Sequence, residues 1–121
     1  MKLRLSSSGV NLVFEMRDTP TARSLYEAAP FEARAQTWGD EVYFETPVSA
    51  KLEADARQVV EPGTVCFWTQ GDALALPFGR TPISTDDKPK LANPCNVLGS
   101  LPDFSSLKKI KTGDRIRVEK A

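Results

Sequence analysis

The sequence PFEARAQTWGDEVYFETPV, residues 30–48, decides the fold. Apolar and polar side chains alternate on both sides of Gly39-Asp40, which is typical of a two-residue hairpin turn that begins with glycine. Such a turn fixes the register of the two strands. The register pairs Trp38 with Glu41, Thr37 with Val42, Gln36 with Tyr43, Ala35 with Phe44 and Arg34 with Glu45.

The hairpin then has one apolar face and one mixed face. The apolar face, predicted to be buried, consists of Phe31, Ala33, Ala35, Thr37, Val42, Phe44, Thr46 and Val48. The mixed face consists of Glu32, Arg34, Gln36, Trp38, Glu41, Tyr43 and Glu45. A slip of one residue would exchange the two faces of a strand, so their clean separation supports the hairpin.

A second hairpin is predicted in TVCFWTQGDALALPFG, residues 64–79, around Gly71-Asp72. If these two residues form the turn, Phe67 pairs with Leu76 and both point into the core, as do Val65 and Phe78. Trp68 then lies on the opposite face. Pro77 lacks a backbone N–H, so that end of the strand is expected to lie at an edge.

The remaining chain supplies further strands and two helices. Residues 2–5 and 10–17 form a first hairpin, and Thr19-Pro20 begins a short helix. Residues 49–60 fit a helical turn or two, and residues 80–94 form a long irregular loop. The closing elements are a strand at 96–101, a helix after Asp103 and a strand at 115–120. We therefore predict a single domain, residues 1–121, that is mainly β: a closed eight-stranded β-barrel with two short helices capping its ends.

Composition excludes several classes of function. Sixteen basic and sixteen acidic residues balance, which leaves no electrostatic footprint for nucleic acid. No apolar run approaches a membrane span, and we expect a cytoplasmic protein. The chain has no histidine, so Ser-His and Cys-His catalytic pairs are excluded. We expect no cofactor and no zinc, and we expect Cys66 and Cys95 to be free thiols.

The strings TWGDEVYFETPV, ALALPFGRTPIS and NVLGSL, followed by LKKIKTGDRIRV, resemble a family of small prokaryotic cyclophilin-like proteins. The resemblance covers essentially the whole chain and implies a cyclophilin-like barrel. It does not imply a reaction. The Phe-His-Arg and Gln-Gly-Gly-Asp strings of active cyclophilins are absent, although Arg34 lies on a strand comparable to the one that carries their arginine.

Three functional hypotheses follow. The first is a domain that binds a peptide or a small molecule in a groove on the outer face. The second is an atypical peptidyl-prolyl isomerase, in which Arg34 polarises a carbonyl. The third is an accessory subunit of an amide-hydrolysing enzyme, because cyclophilin-like domains also occur in such enzymes.

The outer faces of the two hairpins carry the candidate site. Large aromatic rings on the normally polar outside of a barrel indicate a groove, a homodimer interface or a surface covered by a loop. Aromatic rings offer contact area with little loss of rotamer entropy, and polar neighbours can orient a carbonyl or amide. The predicted ligand-binding residues are Arg34, Trp38, Glu41, Tyr43 and Trp68, with Arg80, Thr81 and Ser84 on a rim formed by residues 80–84.

Overall fold

The structure, a computed structural model, describes all 121 residues. Ten strands, one α-helix and one 3-10 helix follow each other along the chain. The elements are β1 (Lys2–Ser7), β2 (Val10–Met16), α1 (Pro20–Ala28), β3 (Phe31–Arg34), β4 (Gln36–Thr37), β5 (Glu41–Glu45), β6 (Arg57–Val59), β7 (Thr64–Trp68), β8 (Ala73–Pro77), β9 (Lys90–Ser100), the 3-10 helix (Phe104–Lys109) and β10 (Arg115–Lys120).

The strands form a nearly closed antiparallel barrel. Nine of them follow the order β3-β10-β1-β2-β9-β7-β8-β5-β4, and β6 pairs separately with β9. The two ends of this order, β3 and β4, are consecutive in the chain and meet at Ala35. The Ala35 N–H donates to the Asp114 carbonyl at 2.8 Å, and its carbonyl accepts from the Gly113 N–H at 2.8 Å. The barrel prediction is therefore confirmed in outline, but the number of strands is ten rather than eight.

The barrel interior is the main core, and its content follows from strand alternation. Inward side chains of the strands are joined by Leu25 of α1 and by Leu107 of the 3-10 helix. Three phenylalanine rings, of Phe14, Phe44 and Phe67, are completely buried there. Leu76 is buried as predicted, whereas Phe78 is only partly buried against this core.

The central hairpin has the predicted register near its turn. Gln36 pairs with Tyr43 and Thr37 with Val42, and Gly39 has a φ of 60°, which suits the first position of this turn. The prediction is wrong from Ala35 back to Phe31, because Ala35 bonds to Gly113 and Asp114 and β3 pairs with β10 rather than with β5. Thr37 is also exposed rather than buried, and its hydroxyl lies 2.7 Å from that of Thr112.

The second hairpin differs from the prediction by two residues. Phe67 pairs with Leu74 rather than Leu76, since a longer loop replaces the two-residue turn. Asp72, with a φ of 50°, has the left-handed backbone conformation, and Gly71 does not. A shift of two preserves which side chains point inward, because strand side chains alternate with period two. The predicted core face of this hairpin therefore survives the wrong register.

The strand β9 is much longer than predicted. It spans 11 residues and includes residues 90–94, which the sequence assigned to an irregular loop. Pro94 interrupts the alternation at a bulge, where β6 pairs through Arg57 with Cys95 and through Val59 with Lys90. Proline is tolerated in strands at such bulges, where no ladder hydrogen bond is lost.

No helix forms in residues 49–60, which are mostly irregular before β6. The buried amide of Asn96 holds this segment against the barrel. Its Nδ2 donates to the Lys51 carbonyl at 2.9 Å, and its Oδ1 accepts from the Glu53 N–H at 2.7 Å. These backbone groups are thereby satisfied without a helical turn.

The helices lie near the predicted positions. α1 begins with the predicted cap, as the Thr19 hydroxyl accepts from the Ala22 N–H at 3.2 Å and Pro20 occupies the first turn. The second predicted helix is a 3-10 helix, and the Asp103 side chain makes no capping hydrogen bond. Neither helix has the length and apolar character needed to cross a membrane.

Candidate functional site

A cavity of about 260 Å³ opens on the outer face of the barrel beside β5, β7, β8 and β9. Its wall is mostly apolar and carries one acid. We call this site the aromatic pocket. It is lined by Trp38, Glu41, Tyr43, Trp68, Ala75, Leu91, Ala92 and Cys95.

Beneath the aromatic pocket lies a second, smaller core. Cys66, Ala75, Leu91 and Cys95 are buried there together with Val60. The first half of β9, which pairs with β6, contributes Leu91 and Cys95, and these side chains are buried with Cys66 of β7 and Ala75 of β8. A part of the barrel surface that should face water is thus an apolar recess.

Glu41 is the one acid in the aromatic pocket. It is the first residue of β5 and pairs with Pro77 of β8. Only 6% of Glu41 is exposed, and its Oε1 is buried without a hydrogen-bond partner. Burial raises the pKa of the Glu41 carboxyl to about 7 from an ordinary value of 4.5. No basic side chain lines the cavity to offset this burial.

Two of the three aromatic rings are fixed by hydrogen bonds at their polar ends. Trp68 Nε1 donates to Gln70 Oε1 at 2.8 Å and to Asn93 Oδ1 at 3.1 Å. The Tyr43 hydroxyl donates to Gln36 Oε1 at 3.2 Å. The Tyr43 and Trp68 rings meet edge to face, with centroids 6.4 Å apart and planes at 88°. These rings therefore offer carbon surface to the pocket rather than polar atoms.

The two cysteines are buried free thiols. Burial, and to a smaller extent the neighbouring Glu41 carboxyl, raise the pKa of Cys95 to about 12. The pKa of Cys66 is raised by burial, then by Cys95 and Glu41. Both sulfurs are therefore protonated and poorly nucleophilic at neutral pH. Glu41 and the thiols do not form a metal site, as the structure contains no group of three or more His, Cys, Asp or Glu side chains that could hold a metal ion.

Position 71 needs glycine because the Trp68 ring lies too close for a side chain, and not because the turn needs a positive φ there. A Cβ atom at Gly71 would lie 2.5 Å from both Cε3 and Cζ3 of Trp68. We predict that Gly71→Ala displaces the ring, shifts its tryptophan emission and destabilises the protein by about 1–3 kcal/mol. Gly9→Ala is the control, because nothing lies within 4 Å of that position and any loss there comes from its φ of 78°. Unchanged emission in Gly71→Ala would contradict this account of Trp68.

Comparison with known proteins agrees with this fold. The sequence pattern of the cyclophilin-like family matches residues 1–119. The chain belongs to the cyclophilin-like family. None of the curated proteins of known sequence matches it significantly.

Two solved structures resemble this cyclophilin-like domain. One is the solution structure of the hypothetical protein AF2241 from Archaeoglobus fulgidus, with a TM-score of 0.86 and 37% identity over 100% of this chain and 95% of that one. The other is McbB in complex with tryptophan, with a TM-score of 0.68 and 14% identity over 98% of this chain and 44% of that one. The similarity to McbB concerns the fold alone.

Four of the predicted site residues, Trp38, Glu41, Tyr43 and Trp68, line the aromatic pocket of the cyclophilin-like domain. Arg34 does not. It lies in a separate groove, where its Nη1 donates to the Gly113 carbonyl at 3.1 Å. The reason is the break at Ala35, which carries β3 away from β5 and toward β10. The predicted strand pairing of Arg34 with Glu45 does not occur, because Arg34 pairs with Arg115 and Glu45 with Ala73, although Arg34 and Glu45 both line that groove.

The predicted rim, residues 80–84, packs against the turn that precedes Glu41. The Asp40 N–H donates to the Arg80 carbonyl at 2.8 Å. Thr81 is buried, and its hydroxyl donates to the Lys90 carbonyl at 2.5 Å, while its N–H donates to Ser84 Oγ at 2.9 Å. Arg80, Thr81 and Ser84 thus hold the start of β9 beside the central turn, and none of them lines the aromatic pocket.

Four residues that line the aromatic pocket were not among the predicted site residues. They are Ala75, Leu91, Ala92 and Cys95. Alternation with the inward side chain of Leu76 places Ala75 on the outer face of its strand, which could have placed it in the site. Leu91 and Ala92 lie in the segment that was predicted to be a loop, and Cys95 directly follows it. The bulge at Pro94 interrupts the strand alternation between them, so no period-two signal marked these residues.

Proposed function

We propose that this cyclophilin-like domain binds a small molecule, or a side chain of a peptide, in the aromatic pocket. The main support for this proposal is the buried Glu41 oxygen, which has no hydrogen-bond partner although the rest of the recess is apolar. Buried polar atoms are nearly always hydrogen-bonded, so an unpartnered oxygen on a carboxyl that lines a cavity calls for a donor from outside the chain. Apolar cavities with few polar groups are the usual form of small-molecule sites.

The two tryptophans make this proposal directly testable. Trp38 and Trp68 are the only tryptophans of the chain, and both line the aromatic pocket. Tryptophan fluorescence therefore reports on this site alone. A panel of neutral, cationic and anionic fragments and Xaa-Pro peptides is to be titrated while emission and backbone amide shifts are followed. Free tryptophan is added to the amide-shift arm because McbB, a protein of similar fold, was solved with it.

We predict that at least one class in the panel gives a saturable change that Ala75→Met abolishes. Ala75 lines the cavity and is buried, so a longer side chain there fills space that a ligand needs. Ala54→Met is the matched control, since Ala54 is exposed and does not line the pocket. Amide shifts clustered elsewhere, for instance on the 3-10 helix, would refute the placement of the site. A dimer that persists at low concentration and shields both tryptophans would instead favour a homodimer interface.

The other two hypotheses make different predictions. In the isomerase hypothesis Arg34 acts beside the aromatic rings, but Arg34 lines the separate groove and donates to the Gly113 carbonyl. An isomerase assay on Xaa-Pro peptides tests this alternative. If Ala75→Met leaves an isomerase activity unchanged, the site of that activity lies outside the aromatic pocket. An accessory-subunit role would appear as co-purification of a stable enzyme partner.

A further inference from the structure

The electrostatics of the aromatic pocket restrict the ligands that it can hold. Glu41 is the only charged group in the wall, and no arginine or lysine side chain lines the cavity. Its Oε1 accepts no hydrogen bond from the protein. In a recess of low dielectric this acceptor interacts strongly with a positive ligand and repels an anion.

The aromatic rings favour the same charge. The face of an aromatic ring carries negative potential, and a cation within about 6 Å of its centroid is attracted to it. Trp38, Tyr43 and Trp68 surround the cavity, and the polar ends of Tyr43 and Trp68 are already occupied outside it. What these two rings present to a ligand is therefore π surface and ring edge.

From this arrangement we infer that the aromatic pocket takes a small organic ammonium ion. A primary or secondary ammonium would donate an N–H to the Glu41 carboxylate, while its carbon substituents would contact Trp38, Tyr43 and Trp68. Charge neutralisation and the missing hydrogen bond are then supplied together by one group. The inference rests on the proposed function and names its ligand class.

Binding of an ammonium ion by this route depends on pH through Glu41. The other titratable side chains against it are Tyr43 in the same strand, Cys66 of β7 and Cys95 of β9. The β8 neighbours Ala75 and Pro77 do not titrate. Because the free Glu41 carboxyl has a pKa of about 7, at lower pH the ligand must displace a proton from it. Affinity should therefore fall roughly tenfold from pH 8 to pH 6.

The test compares three probes of one shape: cyclohexylammonium, cyclohexanol and cyclohexanecarboxylate, each titrated at pH 8 by tryptophan fluorescence. We expect the ammonium to bind at least tenfold more tightly than the alcohol and the carboxylate not to bind. Glu41→Gln should weaken the ammonium at least tenfold and abolish its pH dependence, with little effect on the alcohol. Glu45→Gln, an exposed change in the same strand, is the control and should change neither.

Several results would overturn the inference. Equal affinity for ammonium and alcohol would do so, as would ammonium affinity that is independent of both Glu41→Gln and pH. If none of the three probes binds, the ammonium class is wrong. The proposed function then still stands if another class of the fragment panel binds in the pocket, and it fails if none does.

Discussion

Replacing Phe67 with alanine is expected to lower the free energy of unfolding by about 3–5 kcal/mol. Phe67 lies in β7, is completely buried and belongs to the main barrel core. The barrel wall around it is held by ladders to β8 and β9 on both sides, so neighbouring backbone cannot collapse into the space left by the ring. The loss therefore includes both the transfer free energy of the ring and the cavity that remains.

Urea titration at constant pH measures this effect, with an unchanged m value showing that the compactness of both states is preserved. Leu52→Ala is the control, because Leu52 is 55% exposed and its truncation should stay within about 0.5 kcal/mol. A Phe67→Ala variant as stable as Leu52→Ala would mean that the inward face of β7 has been assigned wrongly.

The faces of the strands were predictable because alternation survives errors in register. The second hairpin was misaligned by two residues, yet Phe67 and Leu76 remain in the core. The misalignment came from Gly71, which was interpreted as a turn residue. Glycine is needed at position 71 because the Trp68 ring leaves no room for a Cβ atom there. A single sequence does not show whether a glycine is needed for a turn or for such a close contact. Gly39, in contrast, has the positive φ that its turn requires.

The candidate site was only half predictable for a related reason. Alternation correctly placed Trp38, Glu41 and Tyr43 on one outer face. It did not reveal where β3 would leave the hairpin, so Arg34 was grouped with them. Ala35 marks this break, but alanine carries no signal of a strand changing partners. The depth of the pocket depends on β9, whose course was hidden by Pro94.

The burial of Glu41 is the feature that the sequence hid most completely. On an alternating strand it resembles Glu32 and Glu45, which are exposed acids on the same predicted face. Its burial arises from residues that are distant in sequence, among them Leu91 and Cys95, which line the same cavity. A carboxylate charge buried in this way should lower the stability of the folded protein even when no ligand is bound.

Ionisation of Glu41 is expected to destabilise the folded protein by about 3 kcal/mol above pH 7. The folded pKa is about 7, above the ordinary value of 4.5 that the unfolded chain retains. Below pH 4.5 the carboxyl is protonated in both states, so it imposes no penalty. Between pH 4.5 and 7 the unfolded state loses its proton first, and stability falls as pH rises. Above pH 7 the penalty is constant.

Glu41→Gln removes this titration while nearly preserving the shape of the side chain. The measured quantity is the change in unfolding free energy between pH 4 and pH 8, because the buried amide of the variant has a desolvation cost of its own that does not vary with pH. We expect the wild type to lose about 3 kcal/mol more than Glu41→Gln over this range. Glu45→Gln should behave as the wild type, since Glu45 is exposed. If the unfolding free energies of the wild type and Glu41→Gln change in parallel with pH, the Glu41 carboxyl is solvated in the folded protein. The proposed function would then lose its main support, the unpartnered buried oxygen of Glu41.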